Sequence, residues 1–129
     1  MLEKILSYIF TKYQVFPEQI FKKYPGYMVF RHRHNERWFG VLMSLKTKNL
    51  KDKSLIFARD KNITLINLKL EPGLVALMLD NRHFLPAYHM NKRHWISVVI
   101  DEETPLEEVF DLIDDSYKLT QNAKAKGIL

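Results

Sequence analysis

Cysteine is absent from this 129-residue chain, which removes disulfide frameworks, zinc ribbons, iron–sulfur sites and thiol nucleophiles at a stroke. Glycine is scarce. Its 4 residues stand singly, so no glycine-rich loop can cradle a phosphate, and neither a nucleophile elbow nor an HExxH motif occurs. No apolar run approaches the ~20 residues that span a bilayer, and Met1 leads into an amphipathic segment instead of a signal peptide. With 47% hydrophobic and 27% charged residues, the expectation is a soluble, cytoplasmic, single domain over residues 1–129 with no membrane partner.

Charge is present but uneven. Residues 1–100 carry 17 Lys and Arg against 7 Asp and Glu, whereas residues 101–129 carry 3 against 8. A basic body of this kind can present a positive surface to a polyanion, provided that its cations are not simply spread over several faces for solubility.

Apolar spacing predicts the elements. Leu2, Ile5, Leu6, Ile9, Phe10 and Tyr13 recur at helical period, and Pro17 with Glu18 predicts a second short helix whose Ile20, Phe21 and Tyr24 face inward. Strands are expected at 27–30 and 37–45 around a polar turn at 34–36, then a central strand at 63–70 after a charged connection over 46–60. Pro72 starts a short helix, 95–100 is a strand, and Thr104-Pro105 with Glu107 reads as the capping box of a last helix. Leu106, Val109, Phe110, Ile113 and Tyr117 form its stripe, and residues 121–129 are expected to fray. Helices at both ends around clustered strands give an α+β fold: an antiparallel sheet with the N- and C-terminal helices packed on one face.

The run Pro86-Ala-Tyr-His-Met-Asn-Lys-Arg-His-Trp95 holds the densest chemistry. Lys92 and Arg93 supply charge, Asn91, His89 and His94 supply donors, and Tyr88 and Trp95 offer stacking rings, or serve as core anchors instead. A tight turn at Asn91-Lys92 would set Tyr88 opposite Trp95, and a single helical turn is the competing geometry. His32 and His34 would share a strand face, but nothing completes a metal set, so no metal or cofactor is expected. No catalytic residue emerges either, since no nucleophile accompanies the histidines.

These residues also resemble a known family. Tyr88-His-Met-Asn-Lys-Arg-His-Trp95 is similar to the signature of the MmcQ/YjbR-like proteins, and the flanking features follow in order. They are Arg31-His32 before Arg37-Trp-Phe-Gly40, Asn67-Leu-Lys69 before Glu71-Pro72, Phe84-Leu-Pro86, and the 112–120 segment; Leu70 departs from the pattern at a position where many members have cysteine. The resemblance implies a fold like that of the bacterial frataxin homologue CyaY, with hairpins likened to a double-wing DNA-binding arrangement. Frataxin-like iron chemistry transfers poorly, because the first helix offers only Glu3 among acids.

The sequence therefore points to a non-enzymatic module binding DNA through Arg31, Arg33, Arg37, Lys69, Lys92 and Arg93, oriented by Asn91 and His94, with Trp38 stacking. The alternative is a small-anion or protein-partner pocket of Tyr88, His89, Lys92, His94 and Trp95.

Overall fold

The computed structural model describes residues 1–46 and 62–123. Helix α1 spans Leu2–Tyr13, strands β1 and β2 span Tyr27–Arg31 and Trp38–Lys46, and β3 spans Asn62–Lys69. Helix α2 (Pro72–Met78), strands β4 (Phe84–Pro86) and β5 (Trp95–Val99) and helix α3 (Leu106–Gln121) follow. The strands form one antiparallel sheet in the order β1-β2-β3-β5-β4, with the expected central strand at its centre. The expected connection over 46–60 and the fraying of the tail lie outside the described residues, apart from Lys46, which ends β2, and residues 121–123.

Alternation along each strand makes two cores. Phe30, Leu42, Ile66, Leu68, Ile96 and Val98 face the helices, where Ile5, Ile9, Val75, Val109, Leu112 and Ile113 bury against them. Val29, Val41, Met43, Leu65, Leu85 and Val99 line the other face, which no helix covers among the described residues. Both terminal helices thus pack on one face of an α+β sheet, as the apolar periods require.

Three local expectations fail, each for a visible reason. Residues 14–26 are not helical: Glu18 pairs in both directions with Val29 (2.8 and 2.9 Å), extending the sheet at its β1 edge. Satisfying that edge leaves Ile20 and Tyr24 exposed instead of inward. Thr104 does not cap α3. Its hydroxyl donates to the Val99 carbonyl (2.9 Å) and accepts from Asp101 N–H (2.7 Å), closing the turn after β5, and the helix begins at Leu106 without a side-chain cap. Asn91-Lys92 is no two-residue hairpin turn either. Pro86 pairs with Ile96, and Trp95 N–H donates to the Asn91 carbonyl (3.0 Å), so the competing helical turn is the one formed and Tyr88 does not oppose Trp95.

Candidate functional site

Antiparallel pairing sorts the candidate residues. β1 ends at Arg31, β2 begins at Trp38, β3 ends at Lys69, β4 ends at Pro86 and β5 begins at Trp95, all at the same end of the sheet. The register sets Arg31 against Trp38 and Lys69 against Trp95. Two turns project beyond them. Turn 32–37 carries Arg33 and Arg37, and turn 87–94 carries Asn91, Lys92, Arg93 and His94. All nine residues expected to contact nucleic acid therefore meet at one end.

At the opposite end, two acids of the turn after β5 are paired. Glu103 holds Arg82, and Asp101 lies 2.8 Å from His83 Nε2. In the last helix, Asp114 accepts from Lys12 (2.8 Å), Tyr8 (2.7 Å) and Tyr13 (2.5 Å). Burial alone would raise the Asp114 pKa, but these three donors outweigh it and hold the carboxyl below its ordinary range.

The first turn is built rigidly. Glu36 takes a left-handed conformation (φ 59°), and Glu36 N–H closes onto the His32 carbonyl at 2.9 Å. Asn35 Nδ2 reaches the carbonyls of Thr120, Gln121 and Ala123 at 2.9, 3.1 and 3.1 Å, while His34 Nε2 donates to the Gln121 carbonyl at 2.6 Å. The turn thus caps the C-terminal end of α3, whose last carbonyls lack partners within the helix. His32 is buried, with Nε2 2.7 Å from Thr120 Oγ1. Burial foremost, then the neighbouring His34, lowers its pKa despite the upward pull of the Tyr117 carbonyl. The two histidine rings meet edge to face, 5.4 Å apart, but no cluster of three metal-ligating side chains forms among the described residues.

Asn67 and Ser97 pin the second turn. Ser97 Oγ accepts from Tyr88 N–H (2.9 Å) and donates to Asn67 Oδ1 (2.5 Å), and Asn67 Nδ2 donates to the Tyr88 carbonyl (2.9 Å). Polar residues in mid-strand are the sequence signal for this anchor. Asn91 Oδ1 accepts from the N–H groups of Arg93 (2.8 Å) and His94 (3.2 Å). Its role is to shape the turn. Lys92 Nζ donates to the Ala87 carbonyl (2.8 Å), which uses one of its three N–H donors and leaves the ammonium at the surface.

Other candidates differ from expectation. Arg31 is gripped through two nitrogens by Glu18 (2.8 and 3.1 Å), so its charge is offset locally. Arg33 and Arg93 are exposed, while Lys69 and His94 are half-buried. Trp95 belongs to neither buried core. Of the alternative reading's residues, His89 lines a cleft that neither Lys92 nor His94 lines.

That cleft, of about 280 Å³, lies on the helix-free face between residues 21–27 and the second turn. Phe21, Tyr24, Tyr27, Trp38, His89 and Met90 supply its walls, with Val41 and Met43 at its base. Phe21 stands edge-on to Trp38 (5.8 Å, 85°), and Tyr24 stacks on Tyr27 (5.1 Å, 19°). Sequence reasoning assigned Phe21 and Tyr24 to the core. A larger cleft of about 590 Å³ lies between Tyr13, Glu18, Arg31 and Arg33, but Glu18 and Glu36 in its wall make it a poor anion site.

Comparison with known proteins identifies the family and the fold. A family model described as YjbR matches residues 11–119. A Bacillus subtilis (strain 168) protein named YyaQ, described as uncharacterised, is 34% identical over 92% of this chain and 97% of its own. The Escherichia coli (strain K12) protein YjbR, also described as uncharacterised, is 30% identical over 60% of this chain and 69% of its own. Among solved structures, a Pseudomonas syringae protein superposes with a TM-score of 0.81 at 35% identity, covering 92% of this chain and 97% of that one. A Deinococcus radiodurans protein shares the fold at 20% identity and a TM-score of 0.68, over 100% of this chain and 82% of that one.

Proposed function

The chain belongs to the YjbR family, and we propose that this member is a non-enzymatic cytoplasmic binding protein that grips DNA through its backbone phosphates. The observation carrying this reading is the convergence of the candidate cations on one end of the sheet, with Asp101 and Glu103 engaged at the other. Turn 32–37 joins β1 to β2 and turn 87–94 joins β4 to β5, so the two flank the central strand like a pair of wings.

Arg33, Arg37, Lys69, Lys92 and Arg93 supply the charge. Arg31 contributes less, because Glu18 holds it. Sequence preference is modest, since phosphate contacts position a protein without reading bases.

Fluorescence anisotropy with a labelled duplex at two ionic strengths tests the proposal. With about five phosphates neutralised, log affinity falls against log salt with a slope of about −4 to −5. Failure to bind at low salt, or binding indifferent to salt, overturns the reading. A small-anion pocket has weaker support, because Lys92 and His94 do not line the cleft that His89 lines.

A further inference from the structure

We infer that the aromatic cleft on the helix-free face receives an unpaired nucleobase, so that the preferred ligand is single-stranded nucleic acid; this rests on the polyanion reading above. Four observations carry it. First, the cleft is apolar and walled by rings: Phe21 edge-on to Trp38 and Tyr27, and Tyr24 flat against Tyr27. Such walls offer π-faces to a planar guest. Second, its volume of about 280 Å³ falls just under the ~300–1,000 Å³ of drug-sized pockets, a size for one ring system.

Third, no carboxylate among the described residues lines the cleft, so those residues repel neither a phosphate chain nor its bases. Fourth, the cleft joins the basic end of the sheet directly. Trp38 forms its wall and is the register partner of Arg31, and His89 and Met90 belong to the turn that carries Lys92 and Arg93. A strand laid across that turn passes its phosphates over the cations while one base swings onto Trp38 and Tyr24. Tyr24 is 54% exposed, a large apolar ring held in solvent where a stacking partner would cover it. Duplex bases, already stacked and paired, cannot enter.

The test measures anisotropy of a 20-nucleotide thymidine strand, an abasic sugar–phosphate strand of equal length and a 20-base-pair duplex at fixed salt. The thymidine strand is expected to bind about tenfold more tightly than the abasic strand. Tyr24→Ala should erase that advantage while leaving abasic binding unchanged. His89→Gly, which suits the left-handed backbone at that position (φ 61°), should do the same without loss of folding. Equal binding of all three probes, with both variants silent, overturns the base-binding inference and leaves the polyanion reading intact. No binding of any probe overturns both.

Discussion

Asn35 and Thr120 meet at the end of the last helix, although 85 residues separate them: the Asn35 side-chain amide donates to the Thr120 carbonyl at 2.9 Å. One buried amide thus fixes a projecting turn to a helix terminus. Asn35→Ala leaves those carbonyls without this partner and is expected to cost about 1–3 kcal/mol in urea denaturation. Unchanged stability would show that water replaces the cap at no cost.

Ser116 makes a second long-range link. The pairing of β1 with β2 shifts between Phe30 and Arg31, and the buried Ser116 hydroxyl donates to the Phe39 carbonyl (2.6 Å) and accepts from Lys69 N–H (2.9 Å). It bridges β2 and β3 where their ladder stops at Gly40 and Leu68. Ser116→Ala should cost about 1–3 kcal/mol and accelerate hydrogen exchange at the Lys69 amide specifically.

Stability should fall in two steps on acidification. The His32 pKa is lowered in the folded state, so the unfolded chain takes up the proton first and stability drops as pH falls below the ordinary histidine value. The Asp114 pKa is also lowered, so its contribution is present above the ordinary carboxylate value and is lost as pH falls through the depressed one. Urea midpoints measured against pH should lose the upper step in His32→Gln and show a smaller lower step in Asp114→Asn, the remainder coming from Asp80 and Asp101, whose pKa values are lowered too.

Binding and folding should separate at the projecting turns. Arg33→Ala and Arg93→Ala alter exposed positions, so each should change stability by less than about 0.5 kcal/mol. Each should also reduce the magnitude of the salt slope for DNA by about 1. Lys92→Ala should leave the melting temperature nearly unchanged while weakening binding. If it unfolds the domain, the bond to the Ala87 carbonyl is a structural necessity and Lys92 leaves the binding set.

Trp95→Ala tests the ring that composition marks as a core anchor. Because Trp95 is only half-buried, its loss should fall below the 3–5 kcal/mol typical of a fully buried aromatic. A larger loss in thermal or urea unfolding would return Trp95 to the core.

Helices α1 and α3, the first two strands and the central strand were legible in the chain, because a 3.6-residue or 2-residue apolar period is a local property. The family signature over 88–95 was equally local, as was the choice of Arg33, Lys69 and Arg93 by residue type. Residues 17–24 misled for the same reason: Pro17 and Glu18 make a good helix start, and only the empty edge of β1 draws Glu18 into a strand pairing. Thr104 and Asn35 found carbonyl partners that no nearby pattern announces. Phe21 and Tyr24 read as core and Trp38 as a stacking ring, and strand alternation alone could not bring the three into one cleft. The sequence by itself determined helices α1, α2 and α3 and strands β1, β2, β3 and β5, and which side of each is apolar. Only the tertiary structure decided that the cations share one end and the rings one cleft, because that depends on strand order and register, which pairing between distant segments sets.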